Sequence, residues 1–301
     1  MNPLVHFTQV AIFGLDLIGA AIGMAIRRLE LADKVLGIPF PGDELKQDIA
    51  AMGAVDEIES DLEKGAGDSD FFIFALPPEK TLSTLSSVSK IVKKGCLLTD
   101  VGSIKKEIVD NASGLFQDET HFIGSHPMTG LDQSGSENAA HVEFQGKTAF
   151  VTLGAHTNHE AAARVALFWK SLGMIPVMID PEKHDVYSAM IRLLPHLTSS
   201  ALLKILSEAP DDLNFIRQAA GKDFVSITRS AGGDAAMVID PLMQGCSSAP
   251  KALDQLISEL EKIRTAVENK DRASLETLLK TASDFHAQLK KKGREEREYP
   301  G

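Results

Sequence analysis

Residues 14–19 read Gly-Leu-Asp-Leu-Ile-Gly, directly after the short β-type run Val10–Phe13 and at the head of a helical stretch from about Leu17 to Leu29. A loop that cradles a pyrophosphate needs glycine in the tight turn, where backbone meets phosphate, and where helix packs on strand. Gly14 and Gly19 meet the first and third needs, but Asp16 stands at the second. A carboxylate ~4 Å from a phosphate charge costs ~4 kcal/mol at an effective dielectric near ~20. Asp16 is also able to accept the helix N-terminal N–H groups that would otherwise hold the phosphate. The second strand departs from a dinucleotide site as well. It ends in Gly37-Ile38-Pro39-Phe40-Pro41, with no acid for ribose hydroxyls before Asp43 and no arginine for a 2′-phosphate. Pro39 and Phe40 can still pack on an adenine, and nothing here chooses between NAD and NADP. His156 and His159 have a metal-like spacing without a supporting ligand motif, and read as a solvated loop.

The elements that must hold these residues alternate. Lys34–Ile38, Phe71–Leu76, Cys96–Thr99, His121–Gly124, Thr148–Thr152 and Ile175–Ile179 read as strands. Asp43–Met52, Thr81–Val92, Ile104–Ser113 and His159–Leu172 read as helices between them, with a turn at Gly53 and Gly173 as a C-cap. Strands alternating with helices at this spacing predict right-handed βαβ units around a mostly parallel sheet. The alternation stops near Asp180-Pro181. Beyond it come helical patterns over His184–Arg192, Leu197–Leu206, Leu213–Ala219, Ala252–Glu268 and Arg272–Lys290. The reading is therefore α/β: a Rossmann-like, dinucleotide-binding domain over 1–179, then an all-α substrate and dimerisation domain over 180–301. His184-Asp185 reads as an interdomain hinge with a capping role.

Two further segments carry a specific resemblance. Thr99-Asp100-Val101-Gly102-Ser103-Ile104-Lys105 follows a strand, and Gly124-Ser125-His126-Pro127-Met128-Thr129-Gly130 continues through Asp132, Ser134-Gly135 and Glu137-Asn138-Ala139. Together they resemble the central motifs of the prephenate/arogenate (cyclohexadienyl) dehydrogenase family. The likeness extends through Phe144–Thr148, Asp180–Asp185, Leu194-Pro195-His196 and Ala220-Gly221 to Ile227-Thr228-Arg229, spanning roughly residues 8–245.

This resemblance implies an oxidative decarboxylation with NAD or NADP: a hydride leaves a carbinol carbon for nicotinamide, the ring carboxylate leaves as carbon dioxide, and the ring becomes a phenol. It implies that His126 receives the hydroxyl proton, as a neutral imidazole can near pH 7, and that Ser103 orients the same hydroxyl. It places the substrate against Ser125, and its carboxylates at His196 and Arg229, where a guanidinium fork suits a carboxylate. The cofactor would lie on Gly14, Leu17, Ile18, Gly19, Leu76, Pro77 and Asp100. Several positions depart from the family. Arg192-Leu193 replaces Ser-His, Val225-Ser226 replaces a basic-acidic pair, and Leu131, Val238 and Gly245 replace a small hydroxyl residue, a tryptophan and an asparagine. These changes suggest a substrate other than prephenate or arogenate itself.

Bulk properties bound the rest. The chain has 301 residues, 44% hydrophobic and 24% charged, with a formal net charge of −11. That balance, without a cationic block, disfavours nucleic acid. Two cysteines, Cys96 and Cys246, make no disulfide framework or zinc motif and suit a reducing compartment. No leader is evident and no apolar run approaches the ~20 residues a membrane span needs, so the expectation is a cytoplasmic protein without a membrane partner. Lys290–Lys292 lies in a tail read as solvated and frayed. A homodimer through the helical domain and a small-molecule substrate are expected. The competing reading is a non-catalytic relative with weakened cofactor binding. A 3-hydroxyacid dehydrogenase ranks last, because Lys183 and Lys204 sit in no supporting motif.

Overall fold

The computed structural model describes residues 5–40, 49–116, 119–129, 136–208, 213–233, 235–243 and 246–298. Its chain forms two compact units, 1–249 and 250–301.

The first unit is built on β1 (Phe7–Phe13), α1 (Leu17–Arg28), β2 (Ala32–Ile38), β3 (Glu57–Ile58), α2 (Leu62–Gly67), β4 (Phe71–Phe74), α3 (Pro78–Ile91), β5 (Leu97–Asp100), α4 (Lys106–Ala112) and β6 (His121–Ile123). These strands form one all-parallel sheet in the order β3-β2-β1-β4-β5-β6. The sheet is apolar on both faces, as a parallel sheet covered by helices must be. Along β1 and β4, Val10, Ile12, Phe71 and Ile73 face the cluster that holds Ile22, Ile26, Phe168 and Trp169. Ala11, Phe13, Phe72 and Phe74 face the other, with Leu85, Val88 and Ala112.

Gly124 then turns the chain out of this sheet. A Cβ there would lie 2.6 Å from Thr152 Oγ1 and 2.8 Å from Val109 Cγ2, so only glycine lets the two sheets approach. β7 (Ser125–Pro127), β8 (Thr148–Thr152) and β9 (Ile175–Ile179) make a second sheet, β7 antiparallel and β9 parallel to β8. α5 (His159–Ser171) packs on it, with Asn158 accepting the Ala161 N–H as its cap at 2.9 Å. The unit continues through α6 (Pro181–Ser188), a single π turn (Ala189–Leu193), α7 (Leu194–Ser207), α8 (Leu213–Ala219), α9 (Lys222–Thr228), a 3-10 turn (Arg229–Gly232) and α10 (Ala236–Met243).

The compact units part after Ala249, so the helices that begin at Pro181 are packed into the first of them. The reason is local: the Asp185 carboxylate accepts the Lys105 and Lys106 N–H groups at 2.8 and 2.9 Å and so caps α4. In the second unit, α11 (Ser248–Glu268) and α12 (Arg272–Glu298) are amphipathic, with Ile257, Leu260, Leu279, Phe285 and Leu289 exposed. The tail expected to fray is helical as far as Glu298. A second correction concerns the apolar runs: Pro181–Ser207, taken as one helix of 27 residues, is by length and composition apolar enough to cross a membrane. The helix expected over Asp43–Met52 falls largely outside the described residues; Ala50–Ala51 and Met52–Gly53 are turn.

Candidate active site

The strand order places a crevice where β1 and β4 diverge, their helices lying on opposite faces, and ligands of open α/β sheets bind outside the carboxyl ends of strands at such a point. Here the turn after β1 meets the turn after β4. Gly14 has φ +99°, and a Cβ on it would lie 2.3 Å from Ala75 O; a Cβ on Gly19 would lie 2.1 Å from Gly14 O. The two glycines therefore do the work expected of them, a tight turn and a close helix–strand contact. Asp16 is exposed and sits at the N-cap of α1, yet its side chain makes no capping hydrogen bond. The expectation that it would consume the helix N–H groups is corrected, and a phosphate fits that helix end apart from the Asp16 charge beside it. Leu17 and Leu76 turn buried side chains inward, so they can offer a cofactor only backbone, while Ile18 is half-buried and Pro77 exposed. Phe40 stacks on Phe13 at 5.8 Å, with Lys80 Nζ 4.4 Å from its ring centroid.

Asp100 and Ser125 need correcting. Asp100, at the end of β5, is 0% exposed, as is Lys105. Its carboxylate pairs with Lys105 Nζ and accepts the Gly102 and Ser125 N–H groups at 2.9 and 3.1 Å. A group enclosed in this way cannot reach a cofactor; it builds the loop instead. Ser125 donates its hydroxyl to Asp100 O at 2.7 Å and lies 2.8 Å from Thr99 Oγ1, so it is spent on fold and not on substrate. Lys105 Nζ also donates to Ser125 O at 2.7 Å, joining the Ser103 loop to the strand that carries His126. Burial pushes the Asp100 carboxyl up and the Lys105 ammonium down, their mutual attraction opposing both.

His126 projects from the middle of β7, opposite Phe150 in register. Its Nε2 lies 2.9 Å from Arg192 Nη1, and its Nδ1 lies 2.9 Å from His184 Nε2. His184 Nδ1 in turn lies 2.8 Å from Asp185 Oδ1. A guanidinium can only donate, which assigns every proton along the line. His126 Nε2 accepts from Arg192, His126 Nδ1–H donates to His184 Nε2, and His184 Nδ1–H donates to the carboxylate. His126 is thus held neutral with its lone pair on Nε2, the form a proton acceptor requires. Burial, then the Arg192 guanidinium, then His184 and Lys105 hold its pKa well below the ordinary histidine range. The imidazole opens on a cavity of about 290 Å³ lined mostly by apolar groups, including Met128, Phe150, Ile179, Tyr187 and Ile191.

Ser103 is half-buried on the β5–α4 loop, and the lining of that cavity does not include it. His196 is half-buried in the first turn of α7, and Arg229 is exposed at the start of the 3-10 turn. Ser199 brings those two elements together. Its hydroxyl bonds Pro195 O at 2.7 Å, Ile227 O at 2.8 Å and Ser230 Oγ at 2.9 Å. The sequence gives no sign of Ser199, since a lone serine in a helix carries no signal, and His184-Asp185 reads there as a hinge with a capping role, not as a partner of His126. Among the described residues, no group of three His, Cys, Asp or Glu is placed to hold a metal.

With this geometry in view, known proteins locate the chain. Residues 22–177 match the model of the prephenate dehydrogenase nucleotide-binding domain, and residues 180–281 that of the prephenate dehydrogenase dimerization domain. The chain is 29% identical over 277 residues to the prephenate dehydrogenase of Bacillus subtilis, covering 92% of this chain and 74% of that protein. It is 24% identical over 267 residues to the cyclohexadienyl dehydrogenase of Zymomonas mobilis, covering 88% and 90%. Its fold is similar to that of the A. aeolicus prephenate dehydrogenase crystallised with hydroxyphenyl propionate and NAD+, at TM-score 0.81 and 22% identity over 94% of this chain and 98% of that one. It is also similar to Synechocystis arogenate dehydrogenase, at TM-score 0.78 and 23% identity over 93% and 99%. The chain belongs to the prephenate dehydrogenase family of oxidoreductases.

Proposed function

We propose that this protein oxidises and decarboxylates a cyclohexadienol carrying carboxylates, of the prephenate or arogenate kind, to a 4-hydroxyphenyl product. The observation that carries the reading is His126: a buried neutral imidazole on the wall of an apolar cavity, its Nε2 accepting from Arg192 and its Nδ1 backed by His184 and Asp185. A bound nicotinamide supplies the hydride acceptor. His126 takes the hydroxyl proton as the carbinol hydride leaves. It returns that proton to the same oxygen when the ring carboxylate departs as carbon dioxide and the electrons of the broken C–C bond aromatise the ring to a phenol, so no net proton is released. Aromatisation drives the step, and the protein supplies orientation and a dry cavity. The family resemblance further assigns Ser103 to the hydroxyl and His196 and Arg229, on elements that Ser199 ties together, to the side-chain carboxylate beside Arg192; none of the three lines the cavity at His126, so substrate binding must bring them to it.

Gly14–Gly19 and the Leu76-Pro77 turn would hold the nicotinamide dinucleotide, NAD or NADP, through backbone N–H groups and the α1 N-terminus. Residues 1–179 then hold the cofactor, while 180–301 complete the substrate site. That second half also supports a homodimer in the cytoplasm, to which the exposed Ile205, Phe215 and Ile227 of the first compact unit are suited.

A second reading, a relative that has lost turnover, is favoured by two observations: Asp16 beside the phosphate site and Arg192 on the base. One experiment separates the two. Reduced cofactor is followed with prephenate and with arogenate, for wild type and His126→Asn. Turnover by wild type that His126→Asn abolishes supports the enzyme. Turnover unchanged in His126→Asn refutes the base, and no turnover in wild type, with no thermal shift from NADH or NADPH, leaves the binding protein.

A further inference from the structure

We infer that Arg192 is a latch on the proton acceptor, drawn off by the side-chain carboxylate of the substrate. This rests on the reading of His126 as the base. An imidazole nitrogen has one lone pair, so His126 Nε2 cannot accept from Arg192 and from a substrate hydroxyl at once, and at 2.9 Å Arg192 holds it. The guanidinium must therefore leave before the base can act.

Where it goes follows from the cavity. Arg192 is half-buried in a wall whose other side chains include Met128, Phe150, Ile179 and Tyr187, and a guanidinium can meet an entering carboxylate with two parallel hydrogen bonds. A cyclohexadienol of this class carries two carboxylates. Arg192 on the ring carboxylate would stabilise the charge that has to be lost as carbon dioxide, opposing the reaction. On the side-chain carboxylate it binds substrate without touching the chemistry. The residue is mounted on the five-residue π turn Ala189–Leu193 between α6 and α7, a form that occurs mainly as single-turn insertions, frequently at functional sites.

The move would also strengthen the base when it is needed. Among the described residues, the charged and titratable groups facing His126 are Arg192, His184 and Lys105, with Asp185 behind His184 and Asp100 behind Lys105. Taking the Arg192 charge from Nε2 removes one of the causes that depress the imidazole, and leaves the relay to Asp185 in place. The latch thus couples substrate charge to basicity: a neutral cyclohexadienol would fill the cavity and meet a blocked acceptor.

The test uses the full chain labelled with 15N-histidine. In wild type without ligand, His126 stays in the neutral Nδ1–H form, and in Arg192→Gln its titration midpoint rises, because one of the charges that depress it is gone. Adding 3-phenylpropionate, a carboxylate without a hydroxyl, moves the wild-type His126 Nε2 signal and midpoint toward the Arg192→Gln values, and leaves Arg192→Gln unchanged. In turnover, Arg192→Gln raises KM about tenfold or more with a much smaller change in kcat, as loss of a charged hydrogen bond would. Equal titration of His126 in both proteins overturns the latch, as does failure of 3-phenylpropionate to bind or to move the wild-type signal, or an unchanged KM. The failure of the base reading looks different: His126→Asn then keeps wild-type turnover, whatever Arg192→Gln does.

Discussion

Lys105→Met tests whether the buried Asp100–Lys105 pair is what joins the Ser103 loop to the His126 strand. Breaking such a pair strands a charge in the interior, at a cost of about 3–5 kcal/mol. The lower end applies here, because Asp100 keeps the N–H groups of Gly102 and Ser125. About 3 kcal/mol is worth ~6–12 °C of Tm in a unit of this size, read by thermal unfolding followed by circular dichroism. The pH dependence supplies a sharper signature. Burial already lifts the Asp100 carboxyl, and removing Lys105 takes away the attraction that opposed the rise. The folded variant then keeps a proton that the unfolded chain, near its usual ~3.9, has released. With more protons bound folded than unfolded, stability falls as pH rises, by up to ~1.4 kcal/mol per pH unit below the folded-state pKa. The deficit of Lys105→Met against wild type should therefore shrink between about pH 8 and pH 5. A deficit under about 1 kcal/mol that does not change with pH would refute the reasoning.

Two other outcomes follow from the site. Asp16→Gly should tighten NADH or NADPH binding about fivefold in a fluorescence titration, because an exposed carboxylate ~4 Å from a phosphate costs ~1 kcal/mol in water-like surroundings; unchanged or weaker binding would mean that Asp16 faces away from the phosphate. Asp185→Asn should lower kcat about tenfold to a hundredfold with little change in KM, since His184 Nδ1–H loses its charged acceptor and no longer fixes the tautomer facing His126; kcat at the wild-type level would make His184-Asp185 a cap alone.

Much of the fold was legible in the residues. Wholly apolar runs such as Phe71–Phe74 announce a strand covered on both faces, and the Gly14–Gly19 turn marks where strand meets helix. What escaped was set by tertiary contact. β3 is two residues long, and β7 contains a proline inside a motif that reads as loop. Asp100 and Ser125 looked like site residues because their neighbours are; only the packed structure shows their polar atoms spent on each other and on Lys105. The relay behind His126 joins positions 58 residues apart, beyond any local pattern. Arg192 was visible as a departure from the family, but its meaning depends on standing against Nε2, which spacing cannot disclose.

The central claim is that a hydride leaves the substrate's carbinol carbon while His126 holds the hydroxyl proton. Its most direct measurement is the mass of the reduced cofactor formed from prephenate or arogenate carrying deuterium at that carbon. The account predicts one deuterium in each reduced cofactor produced by wild type, and no reduced cofactor from His126→Asn. Reduced cofactor without deuterium, or full deuterium transfer by His126→Asn, would contradict it.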